Sequence, residues 1–345
     1  MSTGPQLPIA LDAMGGDHAP DEIVAGAVAA AREYGLPIVL VGDEPRVRAS
    51  LAGLGPVPVG ISVHHAPEVI EMHEHPARAL RAKPNASLPV AVGLVRDGRA
   101  AAVVSAGNSG AIMAAGIFSL KRQEGIDRPA FGGLIPTRDG QAFLLDMGAN
   151  AECKPAWLVQ FAHMGAVYMR VEHGLARPRV GLISNGEEEG KGTTLTLAAY
   201  DLLKASDLNF IGNIEGNDVT GGKADVIVCD GFTGNVILKT MEGTAGTIVG
   251  LLRSQLQRNL RAKLGAALAM PALRALGRRL DYAEYGGVPV LGVHGVLINC
   301  HGRSKARAIT QALRLADRMA RADVVGAIGR SLAGAGKSLH IEEEP

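Results

Sequence analysis

The chain has 345 residues, 47% hydrophobic and 20% charged, which supplies a core for one large domain or two poorly separated ones and excludes general disorder. Aromatic residues make up only 3%, leaving little for base stacking, so no nucleic-acid partner is expected. The formal net charge of +1 selects no partner by itself. In chain order, the first β-type run is Ile9–Leu11, which ends in the polar loop Asp12–His18. A helix is expected from about Pro20 to Arg32, with Gly35 past its end. Pro37–Val41 and Ile61–His65 read as strands. Ala101–Ser105 stops at Ala106-Gly107-Asn108-Ser109-Gly110, and Ile112–Leu120 reads as a buried helix. Further on, Ala142–Leu145 leads to Asp146-Met147-Gly148-Ala149-Asn150, and Val180–Ile183 to Ser184-Asn185-Gly186-Glu187. Val226–Cys229 leads to Asp230-Gly231-Phe232-Thr233-Gly234-Asn235.

Strands alternating with helices predict an α/β fold, a three-layer α/β/α arrangement around a mostly parallel sheet. One catalytic domain is expected over residues 1–331, including a helical hairpin at about 243–283, with a frayed tail over 332–345. No run of about 18 apolar residues occurs, so no bilayer span is expected. Met1 to Pro8 has neither a basic region nor an apolar run, so no signal peptide is expected. Cys153, Cys229 and Cys300 form no CxxC pair; they fit a reducing compartment and read as small core residues.

Each polar loop follows a strand and precedes a helix, where open parallel sheets bind ligands and helix N-termini suit an anion such as phosphate. In the first loop, Gly15 and Gly16 let the backbone approach a ligand, while Asp12, Asp17 and His18 add acid, base or hydrogen-bonding capacity. An ordinary Gly-Gly turn capped by Asp17 is the competing reading. Asn108 and Ser109 sit at an anion-binding corner or at a capped helix start. Gly186–Thr193 fails as a P-loop: its spacing is one short, glycine follows Lys191, and three glutamates would repel nucleotide phosphates. Lys191 is then a point charge facing an anion, or a solvated lysine. Asn235 is an oxyanion donor or an N-cap. Tyr285-Gly286-Gly287-Val288-Pro289, His294-Gly295 and His301-Gly302 add a glycine-rich wall. His64, His65, His73 and His75 lack an HExxH or cysteine partner, so a solvated loop and no metal site are expected. No GxGxxG follows the first strand, and no cofactor is expected.

Between Glu242 and Asp281 there is no acidic residue, while Arg253, Arg258, Arg261, Lys263, Arg274, Arg278 and Arg279 fall inside. Leu252, Leu256, Leu260, Leu264 and Leu268 repeat every four residues, and Leu273, Leu276 and Leu280 follow. Two amphipathic helices meeting at Met270-Pro271 are expected. Most of the stripe is expected to pack or dimerise, with its tip on an anionic membrane surface or an acidic protein.

Taken in order, Leu11–Asp17 (LDAMGGD), Ser105–Ala111 (SAGNSGA), Asp146–Asn150 (DMGAN), Asn185–Gly192 (NGEEEGKG), Gly212–Asp218 (GNIEGND), Asp230–Lys239 (DGFTGNVILK) and Tyr285–Gly302 resemble one family. It is that of the acyl carrier protein–phosphate acyltransferases called PlsX, and the resemblance covers about residues 9–330. Ser109, where the family often has Thr, and Met147, where it often has Leu, are mild departures. The resemblance implies a homodimer with a fold of the isopropylmalate dehydrogenase and phosphate acetyltransferase type. It implies formation of acyl phosphate from long-chain acyl-[acyl carrier protein] and inorganic phosphate. That product feeds a glycerol 3-phosphate acyltransferase in phospholipid synthesis. It also implies a cytoplasmic protein held peripherally at the inner face of the membrane, with Arg261, Lys263, Leu268, Met270 and Leu273 as the membrane or carrier-protein contact.

The expected chemistry is direct attack of phosphate on the thioester, since no nucleophile motif is present. Gly15, Gly16, Asn108 and Ser109 are expected to cradle phosphate. Lys191 is expected to stabilise charge, Asn235 to donate to an oxyanion, and Asp12 and His18 to orient groups or handle protons. Competing readings are a phosphate acyltransferase using short acyl-coenzyme A and a non-catalytic membrane scaffold for lipid-synthesis enzymes. A dehydrogenase is more distant.

Overall fold

The computed structural model describes residues 6–280 and 286–335. Strand β1 (Ile9–Asp12) is buried on both sides, Ile9 and Leu11 facing one core and Ala10 the other, as befits an unbroken apolar run. Helix α1 (Asp21–Tyr34) ends at Gly35, whose left-handed backbone returns its N–H to the Ala31 carbonyl. Then come β2 (Ile38–Gly42), α2 (Glu44–Ala52), β3 (Ile61–His65), α3 (Pro76–Ala82), α4 (Ser87–Arg96) and β4 (Ala102–Ser105). Helix α5 (Ser109–Ala115) runs on into a π-helical turn, Gly116–Leu120. The chain continues through β5 (Ala130–Pro136), β6 (Gln141–Leu145), α6 (Pro155–His173), β7 (Val180–Ile183), α7 (Thr194–Lys204), β8 (Phe210–Ile214) and β9 (Val226–Val228). Two long helices, α8 (Gly231–Gln257) and α9 (Leu260–Leu280), precede β10 (Val288–Leu291), β11 (Val296–Asn299), α10 (Ala306–Arg321) and α11 (Val324–Ala335).

The strands form one eleven-stranded sheet in the order β3-β2-β1-β4-β11-β10-β5-β6-β9-β7-β8. Seven neighbouring pairs are parallel, and three, along β11-β10-β5-β6, are antiparallel. The sheet is therefore mostly parallel, with a reversing seam at its centre. Gly132, Gly133 and Pro136 in β5 and Pro289 in β10 dilute the strand pattern there. The stretch expected to be a glycine-rich wall thus holds β10 and β11, two central strands. Helices α1, α6, α7, α10 and α11 pack into one core, and α3, α4, α5 and the start of α8 into the other. Each fully buried Leu or Ile contributes roughly 1.5–3 kcal/mol, which low aromatic content does not diminish.

Two expectations need correction. The hairpin turns at Arg258 and Asn259, whereas Met270 and Pro271 lie inside α9. Asn259 caps α9 by accepting the Ala262 N–H at 2.9 Å, while an exposed proline removes one helical hydrogen bond and leaves the freed carbonyl to solvent. The first arm also begins earlier than 243, at Gly231, where Asp230 caps it. At the other end, Leu332 is buried within α11, which continues to Ala335, so the tail does not start there. Residues 281–283 of the expected hairpin, Tyr285, and residues 336–345 lie outside the described residues.

Candidate active site

Parallel pairing of β1 with β4 sets their last residues, Asp12 and Ser105, side by side. Ser105 Oγ donates to Asp12 Oδ2 at 2.7 Å, and the Gly107 N–H donates to Ser105 Oγ at 3.1 Å. The Met14 N–H donates to Asp12 Oδ1 at 3.2 Å. Burial pushes the Asp12 carboxyl up, and its bonds to Ser87, Ser105, Met14 and Gly15 pull it back. The clamp leaves no space for side chains: a Cβ on Gly15 would stand 2.6 Å from Asp12 Oδ2. Gly16 has φ +104°, and its Cβ would lie 3.0 Å from the Gly302 carbonyl. The Asp17 N–H donates to that same carbonyl at 2.8 Å. Loops after β1, β4 and β11 therefore meet.

The four residues expected to cradle phosphate share this place but divide in role. Gly15 and Gly16 shape the loop. Asn108 caps α5 by accepting the Ala111 N–H at 3.1 Å, and its amide donates to the Met72 and Glu74 carbonyls at 3.0 and 3.1 Å. Its side chain is occupied in building the corner. Ser109 is exposed and accepts from Asn299 Nδ2, at the end of β11, at 3.0 Å. His18 is exposed at the rim. His301 is half-buried, and its Nδ1 accepts the Arg303 N–H at 3.1 Å. Burial, then Lys239, hold the imidazole below its usual pKa. A neutral ring with Nδ1 accepting carries its proton on Nε2.

A second cluster lies at the ends of β6 and β9. Asp146 is fully buried and accepts from the N–H groups of Phe131, Gly148, Ala149 and Asn150 and from Asn150 Nδ2, at 2.7 to 3.2 Å. Burial pushes its carboxyl up, yet every contact is a donor, so the loop is built around the ionised form. Helix α8 starts against this loop. Asp230 accepts the Thr233 N–H at 2.9 Å and is the N-cap, so Asn235 is not the cap; it is exposed on the first turns, facing Gly148. A Cβ on Gly234 would lie 1.9 Å from the Asp146 carbonyl, so only glycine permits this approach.

Lys191 belongs to a third loop, between β7 and α7. It is exposed, and its backbone bonds stay within the loop, to Glu188 and Ser184. The neighbouring glutamates are tied down: Glu187 to Lys223 at 2.6 Å and Glu189 to Lys204 at 2.8 Å. Since β6, β9 and β7 are parallel neighbours, Asn235 and Lys191 share the strand-end edge of the second half. Helix α8 starts at that edge, and its Lys239 and Glu242 act electrostatically on His301 in the first half. This helix ties the two sets of loops together.

Ser105, Asn299, His301 and Asp146 were not singled out as site residues, although each lies in or beside a polar strand-end motif. The thiols are silent: burial pushes Cys153 and Cys300 up to about 12, and Cys229 well above the range of an ordinary thiol. Among the described residues, no group of three His, Cys, Asp or Glu side chains has metal-binding geometry.

The chain matches the model of the fatty acid synthesis protein family over residues 7–326. A phosphate acyltransferase of Pelotomaculum thermopropionicum is 54% identical over 310 residues, covering 90% of each chain. Another, of Heliobacterium modesticaldum, is 52% identical over 330 residues, covering 94% of this chain and 98% of its own. Among solved structures, a phosphotransacetylase from Streptococcus pyogenes has a TM-score of 0.58 at 17% identity, covering 95% of this chain and 94% of its own. A 4-hydroxythreonine-4-phosphate dehydrogenase from Klebsiella pneumoniae has a TM-score of 0.56 at 13% identity, covering 92% and 99%. At such identities these structures show a shared fold alone, and it is the fold type expected from the sequence.

Proposed function

The chain belongs to the fatty acid synthesis protein family, that of the phosphate acyltransferases, and on that premise we propose that it transfers a long-chain acyl group from acyl carrier protein to inorganic phosphate. A phosphate oxygen attacks the thioester carbonyl carbon, and the new C–O bond gives a tetrahedral oxyanion. The C–S bond then breaks, the carrier leaves as a thiolate that takes up a proton, and acyl phosphate is released. A glycerol 3-phosphate acyltransferase would consume this product. No protein nucleophile is required, which the raised cysteine thiols support.

The observation that carries the reading is the Asp12–Ser105 clamp, which packs the Gly15–Gly16 and Gly107 backbone so closely that only glycine fits, beside Ser109, Asn299 and His301. In this reading Asp12 is a positioning residue, and the loops with Ser109 and the Nε2–H of His301 hold phosphate. Asn235 and Lys191 supply a donor and a positive charge for the oxyanion, and His18 carries protons at the rim. Holding both reactants in line lowers the barrier by about 7–11 kcal/mol at best, and one oxyanion donor adds about 3 kcal/mol.

The proposal includes a homodimer and a peripheral membrane contact. Leu260, Leu264 and Leu268 form a stripe on α9, 73%, 61% and 87% exposed, flanked by exposed Arg261 and Lys263. Met270 is exposed and Leu273 half-buried on the same helix. Among the described residues, no helix is long and apolar enough to cross a membrane.

The test is turnover of long-chain acyl carrier protein with and without phosphate, following free carrier thiol and acyl phosphate together. Phosphate-dependent release of both is expected. Release only from short acyl-coenzyme A would replace the donor, and no release from the folded protein would overturn the reading.

A further inference from the structure

The segment from Ser109 to Leu120 contains no charged residue. Between its outer serines, Ser109 and Ser119, the residues that reach the surface are Gly110, Met113, Ala114, Ile117 and Phe118. Their spacing sets them along one side of α5 and its π-helical turn. The strip begins beside Ser109 and Asn299 of the candidate cradle and ends at Phe118, which is 57% exposed.

There it meets a groove of about 540 Å³, a size usual for small-ligand sites, roughly 300–1,000 Å³. Leu80, Val90, Leu94, Ala115 and Phe118 supply its apolar lining. Helix α4 runs alongside: it starts at Ser87, which bonds to Asp12, and ends at Arg96. Both helices therefore lead away from the clamp. At the far end stand Arg99 and the Arg96–Asp97 ion pair, joined at 2.8 Å.

We propose that this strip and groove hold the apolar tail of the acyl group, with its carbonyl carbon at the cradle and its methyl end towards Arg96 and Asp97. The proposal deepens the acyl-transfer reading and rests on it. Three observations favour a hydrocarbon chain. The strip is continuous with the cradle, it is free of charge throughout, and the apolar surface gives out at the half-exposed, hydrated Arg96–Asp97 pair, whose water a hydrocarbon end would displace only at a cost. The nine residue steps from Ser109 to Phe118 advance about 13 Å along a helix. A methylene advances a chain by about 1.3 Å, so the strip alone spans roughly ten carbons and the groove takes the rest. Short acyl groups would never reach it.

Gly93 allows a clean test. It lies in the groove wall on α4, and a Cβ there would meet only Arg96 Nη2 at 3.8 Å. Gly93→Leu fills the groove while favouring the helix, and Phe118→Lys puts a charge at an exposed point of the strip. Wild type and both variants are compared for kcat/KM with phosphate and with hexanoyl and palmitoyl acyl carrier protein, after thermal melts have verified folding. Both variants are expected to lose about tenfold or more on the palmitoyl donor, about what two unburied methylenes are worth, and less than about threefold on the hexanoyl donor. Equal losses on both donors, or no loss on either, would overturn the tail site while leaving acyl transfer intact; the strip would then belong to a protein or membrane contact. If wild type released no thiol from either donor, the acyl-transfer reading would fall, and the tail site with it.

Discussion

His301 shows how one side chain links chemistry to stability. Its Nδ1 accepts a backbone N–H, an arrangement that only the neutral ring makes, and burial with Lys239 nearby keeps it neutral. Because its folded pKa lies below the unfolded one, its contribution to stability is complete above the unfolded value, about 6.5. It is lost as pH falls through the folded value. The melting temperature of wild type should therefore drop as the pH falls below about 6.5, and His301→Gln, which cannot gain that charge, should drop less. Parallel melting curves for the two proteins would remove His301 from this account. Stability is the better readout, because the protonation of phosphate itself also bends an activity profile on the acid side. At this scale the sequence was legible where residue type alone makes the demand: Gly15 and Gly16 are readable because nothing larger fits. His301 and Asn299 were harder to find, since they acquire meaning only when β11 lands beside β4, some 190 residues away from Ser109.

At the scale of elements, the outer strands were readable because they are unbroken apolar runs followed by polar loops. The central ones were hidden by glycine and proline, and the hairpin turn by the conspicuous Pro271, when the capping side chain of Asn259 decides it. The β7–α7 loop shows the value of reading a whole element. Two of its three glutamates, which argued against a nucleotide site, are bound to lysines, Glu189 to Lys204 and Glu187 to Lys223, so they stiffen the loop that presents Lys191. If Lys191 supplies charge to the oxyanion, Lys191→Ala should lower kcat at least about tenfold, with the melting temperature essentially unchanged, because exposed substitutions usually shift stability by less than about 0.5 kcal/mol. Lys191→Arg should recover part of the rate. A kcat within about threefold of wild type for the alanine variant would take Lys191 out of the mechanism, and a large fall in melting temperature would make it a structural residue.

On the scale of the whole molecule, a sheet buried on both faces contrasts with a helical pair that buries little. From Gly243 onward α8 is largely exposed, and the Leu260–Leu264–Leu268 face of α9 has no partner among the described residues. Such a face, set among arginine and lysine with no acidic residue between Glu242 and Asp281, is suited to lying on an anionic lipid surface. Burying two leucines is worth roughly 3–6 kcal/mol, or at least a hundredfold in partitioning, on the scale of about 1.4 kcal/mol per tenfold. The double variant Leu264→Glu, Leu268→Glu should therefore stop floating with phosphatidylglycerol vesicles, while turnover with carrier-bound substrate in vesicle-free buffer stays as in wild type. Sedimentation of the same variant separates the second role proposed for the stripe. If it stays dimeric and loses vesicles, the face meets lipid; if it becomes monomeric and still floats, the stripe is the subunit interface and the membrane contact lies elsewhere.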